Sequence, residues 1–217
     1  MNPRFILPRL LAITDAERLG RERVVSQLRG AWEGGLRWAL VREPHSDIDS
    51  VRALFLALRE LDLEGLELSI SIRPGDGGRR RLREIVPLGA RGVHIGAAPP
   101  DAVEEARRER GSALWIGYSA HTKEDVEIAF RAGADYVTFA PVFPPLSKDI
   151  GREAAGVEAL RDACGAASGP VLALGGITTP RSRLARDAGA YGVAVIGTIL
   201  DAADPAAATR ALLRELE

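Results

Sequence analysis

The sequence predicts a single-domain (β/α)8 TIM barrel in which residues 1–217 form one domain. Eight short apolar runs rich in β-formers alternate with amphipathic stretches of Ala, Leu, Arg and Glu. This alternation predicts parallel strands joined by crossover helices. A chain of 217 residues can bury one sizeable core, and eight units in this length fit a compact barrel. A doubly wound open sheet is the main alternative, but ITDAERLG, which closes the first run, contains no GxGxxG fingerprint.

The predicted strands, in order, are LLAITD (10–15), WALVRE (38–43), ELSISIR (67–73), GVHIG (92–96), WIGYSA (115–120), YVTFAPV (136–142), PVLALGG (170–176) and GVAVIG (192–197). Helix starts are predicted at Asp101, which opens DAVEEARRER, and at Thr122, which Asp125 follows three residues later. Four glycines follow helical stretches, where left-handed C-terminal caps are expected: Gly35, Gly65, Gly133 and Gly189.

Composition and charge argue against nucleic-acid or membrane partners. The net charge is −1, and the densest basic run, RRR within GGRRRLRE, is predicted to form a solvated face. The start of the chain does not resemble a signal peptide, and no apolar run approaches membrane length. The single cysteine, Cys164, excludes an internal disulfide and is predicted to be a small buried residue. These features predict a cytoplasmic protein.

Polar residues recur at the predicted carboxyl ends of the strands, where barrel enzymes carry their chemistry. In strand three, Ser69, Ser71 and Arg73 share one face by the period of two, so this polar face is predicted to line a wet mouth of the barrel. His94 lies in strand four, and a hydrogen-bonded core histidine is the alternative to a substrate-binding one. His45 follows strand two and is predicted to be a loop residue.

Four side chains are predicted to converge above the barrel: Arg42, Arg73, Ser119 and His121. Two guanidinium groups indicate an anionic substrate, because their forked N–H groups match phosphate or carboxylate. The alternative for one of the arginines is a structural ion pair with Glu43. For His121 the alternative is a neighbour of the Thr122 helix cap.

Glycine-rich ends of strands seven and eight, LGGIT and VIGTIL, predict a phosphate site. Barrel phosphate sites recur after these two strands, and glycine lets main-chain amides approach a ligand closely. The amides of Gly175, Gly176, Ile196 and Gly197 are therefore expected to bind a phosphate. The chain contains only two lysines, and one of them, Lys148, lies in the proline-stiffened segment FAPVFPPLSKD.

The motifs together resemble the thiamine phosphate synthase and thiazole tautomerase family of (β/α)8 enzymes. The resemblance runs from LLAITD to VAVIGTIL and rests on ITD (13–15), RE (42–43), GVHIG (92–96), IGYSAHT (116–122), GADYVTFAPVFPPLSKD (133–149), LGGI (174–177) and AGAYGVAVIGTI (188–199). It implies that functional positions of the synthase are kept at Arg42, His94, Ser119, Ser147 and Lys148. Other family positions differ, because this chain has Leu40, Pro44, Ser71, Ile72, Ala97 and Pro99 there.

The resemblance implies three possible functions. In the synthase, Mg2+ and a cluster of cations hold the departing pyrophosphate, but Ile72 and Pro99 supply no oxygen ligands, so Asp76 or Asp101 would have to replace them. A thiazole tautomerase needs no metal and would use His121 as acid and base. The sequence favours this tautomerase slightly over a divergent Mg2+-dependent synthase with Lys148 on the pyrophosphate. The third possibility is a non-catalytic binder of thiazole phosphate.

Overall fold

Eight parallel strands close into one barrel in the computed structural model of the chain, in the order β1 to β8. This confirms the predicted (β/α)8 fold. The structure describes residues 7–73, 75–96, 98–99, 102–111, 113–144 and 153–217, with the backbone alone at positions 76 and 110. The strands are β1 Leu10–Ile13, β2 Trp38–Val41, β3 Glu67–Ile72, β4 Gly92–Ile95, β5 Trp115–Ala120, β6 Tyr136–Phe139, β7 Val171–Leu174 and β8 Gly192–Val195.

Helices follow the strands and cover the outside of the barrel. They are α1 Ala16–Leu19, α2 Arg21–Glu33, α3 Ile48–Glu60, α4 Asp76–Glu84, α5 Ala102–Arg110, α6 Lys123–Arg131, α7 Gly156–Ala166, α8 Thr179–Asp187, α9 Gly197–Leu200 and α10 Pro205–Leu216, with a 3-10 turn at Val86–Leu88. The capping box predicted at the start of α6 is present, since Thr122 and Asp125 bond each other's backbone amides. The predicted helix start at Asp101 lies outside the described residues.

All strands except β5 end one to three residues before the predicted bounds, and glycine conformation explains this for β7. The run 170–176 was predicted as a strand to its end, but β7 stops at Leu174. Gly175 and Gly176 have φ angles of 97° and 60°. These values lie outside the extended region, so the two glycines turn the chain away from the sheet and across the mouth of the barrel.

The barrel closes where β8 pairs with β1. Leu10 is in register with Val193, and the amide of Val193 donates to the carbonyl of Arg9 at 2.8 Å. Gly192 lies directly against this carbonyl, because a Cβ atom at position 192 would be 2.0 Å from the Arg9 oxygen. The ladder that closes the barrel therefore requires glycine at position 192.

Aromatic side chains fill the barrel interior below the mouth. The rings of Trp38 and Tyr136 meet edge to face at 4.7 Å between centroids, and the indole of Trp38 donates to Ser69 Oγ at 3.0 Å. Ser69 is fully buried, so the prediction that the whole polar face of β3 lines a wet mouth is wrong at Ser69. Gly117 makes room for Tyr136, since a Cβ at position 117 would lie 2.1 Å from the ring.

Cys164 is partly buried in α7. Burial raises the pKa of its thiol to about 11, so the thiol is protonated and unreactive near neutral pH. Within the described ranges, no helix combines the length and the apolar character needed to cross a membrane.

Candidate active site

One cavity of about 980 Å3 opens at the carboxyl ends of the strands. All predicted site residues that the structure describes in full line this cavity. These residues are Arg42, Arg73, His94, Ser119, His121, Gly175, Gly176, Ile196 and Gly197. Their functional roles stay predictions, but the strand-end positions read from the sequence do meet in one place. His45 is exposed, and its backbone amide donates to Glu17.

The ends of β1 and β2 are fixed by a buried carboxylate. Glu43, only 2% exposed, accepts the Thr14 hydroxyl at 2.6 Å and the amides of Ala16 and Glu17 at 3.0 Å. Thr14 Oγ1 in turn accepts the amide of Arg42 at 2.9 Å. The proposed structural pair between an arginine side chain and Glu43 is therefore absent among the described residues, and Glu43 instead anchors the first turn of α1.

Arg81 was missed by sequence reasoning. The arginine run to which it belongs was predicted to be a solvated face, yet Arg81 is half-buried and lines the cavity. Its guanidinium donates to the carbonyls of Ser71 at 3.1 Å and Glu43 at 2.6 Å. Arg80 follows the prediction, since it is exposed and pairs with Glu84 along the helix. The turn of α4 separates the two neighbours, and only a known helix orientation could have distinguished them.

His94 lies in a buried polar chain that crosses three strands. Its Nδ1 is 3.1 Å from the Tyr136 hydroxyl, and its Nε2 is 2.8 Å from Ser119 Oγ. Burial, aided by the charge of Arg42, lowers the pKa of His94 to about 3, so the ring is neutral near pH 7. The Tyr136 hydroxyl has only Nδ1 as an acceptor among the described residues, so it donates there. His94 Nε2 then donates to Ser119, whose own hydroxyl hydrogen is left for the cavity.

His121 lies at the rim of the cavity with a defined tautomer. Its Nδ1 is 2.7 Å from the carbonyl oxygen of Ala140. Because a carbonyl can only accept, Nδ1 carries the hydrogen and the neutral ring presents the Nε2 lone pair. The backbone amide of His121 is held by Asp125 Oδ2 at 2.9 Å. The α6 cap therefore holds the backbone of this histidine, and the Ala140 carbonyl orients its ring.

Main-chain groups dominate the side of the cavity formed by β7 and β8. A Cβ at Gly176 would lie 2.3 Å from the carbonyl oxygen of Pro144, and one at Gly175 would lie 2.7 Å from Pro141 Cα. The backbone therefore passes too close to the β6 loop for any side chain at these positions. Among the described residues, the amides of Gly175 and Gly176 donate to no backbone carbonyl, which leaves them available to an anion.

Asp201 also lines this cavity and was missed from the sequence. Its carboxylate forms a two-point pair with the Arg18 guanidinium, at 2.9 and 3.1 Å. Asp201, followed by Asp15, raises the pKa of Arg18 by hydrogen bonding. The pair neutralises the one acid among the described residues that line the cavity, so it does not repel an anion strongly.

The described residues do not fit a magnesium site. Mg2+ prefers several oxygen ligands in near-octahedral geometry. Ile72 is 7% exposed and packs in the outer apolar core, and Pro99 offers no side-chain oxygen. No group of three potential metal-ligating side chains occurs in the part of the chain that the structure describes. Predictions for Asp101, Ser147, Lys148 and the side chain of Asp76 lie outside the described residues.

The fold and the cavity are typical of barrel enzymes that bind phosphorylated small molecules. A sequence profile described as thiamine monophosphate synthase matches residues 10–199. The putative thiamine-phosphate synthase of Geobacter sulfurreducens is 36% identical over 206 residues, covering 94% of this chain and 92% of that protein. The thiamine-phosphate synthase of Desulfitobacterium hafniense is 31% identical over 205 residues, covering 94% and 95%. The chain belongs to the thiamine monophosphate synthase family of thiamine biosynthesis.

A solved structure supports the same conclusion. Thiamine phosphate pyrophosphorylase from Pyrococcus furiosus matches with a TM-score of 0.79 and 29% sequence identity, over 96% of this chain and 95% of that one. The slight preference for a tautomerase finds no support here, because the relatives named above carry the synthase or pyrophosphorylase name. That preference had relied on the missing magnesium ligands and on the match of His121 to the catalytic histidine of the tautomerase.

Proposed function

We propose that this protein is a thiamine-phosphate synthase, which joins a pyrimidine pyrophosphate to a thiazole phosphate and releases pyrophosphate. One observation carries the proposal: arginine side chains and glycine main-chain amides, two kinds of group that can bind an anion, lie on opposite sides of one cavity. Arg73 follows β3, and Gly175 and Gly176 follow β7, which lies opposite β3 in a closed barrel of eight strands. A reaction with two phosphorylated substrates requires two such groups.

The geometry supports division of the cavity between the two substrates. The glycine amides after β7 and β8 bind the thiazole phosphate, and the arginines after β2 and β3 bind the pyrophosphate. The C–O bond between the pyrimidine methylene and the pyrophosphate breaks, and its electron pair leaves with the pyrophosphate. The lone pair of the thiazole ring nitrogen then forms the new C–N bond. Guanidinium groups that face the departing oxygen stabilise the charge that develops there.

His121 has an orienting role in this reaction. The thiazole nitrogen carries no proton, so its attack on the methylene carbon requires no base at that atom. The Nε2 lone pair of His121, fixed by the Nδ1 contact with Ala140, accepts a hydrogen bond from the pyrimidine amino group. Ser119, polarised through His94, donates to an anionic oxygen.

A direct assay tests the proposal. The protein is incubated with pyrimidine pyrophosphate and thiazole phosphate, once with Mg2+ and once with a chelator, and thiamine phosphate is measured. Turnover in either condition is expected. Absence of thiamine phosphate in both conditions, with correctly folded protein, would contradict the proposal. Isomerisation of a thiazole carboxylate phosphate without synthase turnover would establish the tautomerase instead.

A glycine pair localises the thiazole phosphate. Gly176→Ala places a methyl group against Pro144 and shifts the amides, so the KM for thiazole phosphate is expected to rise by about tenfold or more. The control is Gly165→Ala in α7, where a Cβ would meet no atom within 4 Å, and its KM is expected to stay unchanged. Equal KM values for the two variants would place the thiazole phosphate elsewhere.

A further inference from the structure

Three guanidinium groups gather where β2 and β3 end, on the side of the cavity that the proposed function gives to the pyrophosphate. Arg42, Arg73 and Arg81 all line the cavity, and we refer to them as the arginine edge. Arg42 and Arg73 make no hydrogen bond or ion pair through their side chains with any residue that the structure describes. Their N–H groups, which match phosphate oxygens bidentately, are therefore available to a ligand.

Arg81 holds the arginine edge in place. Its guanidinium joins the end of β2, through Glu43 and Ser46, to the end of β3, through Ser71. Each of these bonds goes to a main-chain carbonyl, so no carboxylate cancels the charge of Arg81 by direct contact. Burial, and then the charge of Arg73, lower the pKa of Arg81. Arg73 and Arg81 line the same cavity, so an anion between them would reduce the repulsion between their like charges.

Two acids near the arginine edge, Glu43 and Glu17, already accept hydrogen bonds from other groups. Glu43 accepts from Thr14, Ala16 and Glu17. Glu17 accepts from the amides of His45 and Ser46 and from the Ser46 hydroxyl. Neither carboxylate forms an ion pair with the arginine edge among the described residues. Among the side chains that the structure describes, positive charge on this side of the cavity is therefore in excess.

The positions that the family resemblance gives to magnesium ligands cannot take a cation here. Ile72 packs in the apolar core, and the side chain of Pro99 has no ligand atom. The same corner of the barrel carries guanidinium groups, and a divalent cation beside them would be repelled. Guanidinium groups can themselves neutralise a departing phosphate group, which is the task of the metal in phosphoryl chemistry.

We propose that Arg42 and Arg73 bind the pyrophosphate group directly, without a divalent cation, and that Arg81 is a positioning residue for both. This inference rests on the proposed function only for the identity of the substrate that carries the pyrophosphate. The arginine edge replaces the metal as the acceptor of negative charge when the C–O bond breaks.

Calorimetric titration of the full chain with inorganic pyrophosphate, in excess chelator, tests the inference without any turnover. Pyrophosphate is expected to bind in chelator, with an affinity that Mg2+ does not increase. Arg42→Gln and Arg73→Gln are each expected to weaken binding by about tenfold or more, since each removes a charge-assisted contact. Arg80→Gln is the matched control on α4, because Arg80 pairs with Glu84 away from the cavity, and its affinity is expected to equal that of the wild type.

Two variants of Arg81 separate positioning from folding. Arg81→Lys keeps the charge and a donor, and it is expected to retain pyrophosphate affinity within about threefold, whereas Arg81→Gln is expected to lose about tenfold. Equal losses in both variants would overturn the positioning role. Thermal melts of both variants show whether each remains folded.

Binding that occurs only with Mg2+, or binding in chelator that is unaffected by Arg42→Gln and Arg73→Gln, would overturn the inference. Loss of binding in Asp76→Asn or Asp101→Asn, rescued by raising Mg2+, would overturn it as well and would assign a metal to those residues. These outcomes leave the proposed function standing. Binding in chelator, with no thiamine phosphate formed either with Mg2+ or with chelator, would instead reject the proposed function and retain the anion site.

Discussion

His94 keeps a neutral imidazole ring inside the barrel wall, between Tyr136 and Ser119. A charged ring at this position would lie beside Arg42 and without solvent. The surroundings of His94 therefore favour its neutral imidazole over the protonated imidazolium. This preference ties the folded state to pH.

The pH dependence of stability follows from the sign of this shift. The pKa of His94 is about 3 in the folded state and near 6.5 when unfolded, so between these values the unfolded chain binds the additional proton. The free energy of unfolding is expected to be highest above pH 6.5 and to fall below it by about 1.4 kcal/mol per pH unit from this group. Denaturant titrations between pH 5 and pH 7 measure the slope.

Two histidine variants isolate the contribution. His94→Gln cannot take up the proton and is expected to flatten the slope, whatever its effect on absolute stability. His45→Gln changes an exposed residue and is expected to keep the wild-type slope. A slope that persists in His94→Gln would show that another group causes the acid sensitivity.

At the scale of elements, the start of α6 serves both the helix and the cavity. Asp125 Oδ2 accepts the amides of His121 and Thr122, so one carboxylate caps a helix and fixes the backbone of a rim histidine. A helix cap contributes to stability by satisfying free backbone amides. This one also holds the backbone amide of His121 at the rim of the cavity.

Removal of the cap is therefore expected to have two effects. Asp125→Ala should lower the free energy of unfolding by about 1 kcal/mol, and it should also lower kcat/KM by about tenfold because the imidazole is displaced. Asp204→Ala removes the cap that accepts the Ala207 amide in α10, and it should cost similar stability with unchanged kcat/KM. The free energy of unfolding and kcat/KM are measured for both variants and compared. Equal kinetics would mean that Asp125 has no role beyond the helix.

Elements and strand-end residues were predictable from the sequence because both depend on local periodicity. Arg42, Arg73, Ser119 and His121 were found in this way, and they do share one cavity. Tyr136 and Arg81 could not be found by the same rule. The Tyr136 contact depends on the register between β5 and β6, and Arg81 depends on how α4 turns toward the barrel. Both are set by tertiary packing rather than by spacing along the chain.

For the whole molecule, closure of the barrel depends on the seam between β1 and β8. Gly192→Ala would place a methyl group 2.0 Å from the Arg9 carbonyl oxygen, so the strands would have to separate. The free energy of unfolding is expected to fall by about 3 kcal/mol. Gly165→Ala, in an open position of α7, is expected to gain up to about 1 kcal/mol from helix propensity.

Denaturant titrations of the two alanine variants provide the comparison. Because every strand of a closed barrel relies on the seam, Gly192→Ala should lower the midpoint of the entire transition and not produce a separate early phase. Similar midpoints for the two variants would mean that the seam relaxes around the added methyl group. An open sheet would have no pairing between β1 and β8, so the test applies only to a closed barrel.

The contact between Gly117 and Tyr136 has a consequence for how the sequence can change over time. A side chain at position 117 collides with the ring of Tyr136, whereas a smaller residue at position 136 collides with nothing and leaves space in the barrel. Substitutions at the two positions can therefore accumulate in one order only, position 136 first. The intermediate of that path has already lost the hydroxyl that holds His94. Divergence at this pair therefore passes through a protein in which His94, at the candidate active site, has lost a hydrogen-bond partner.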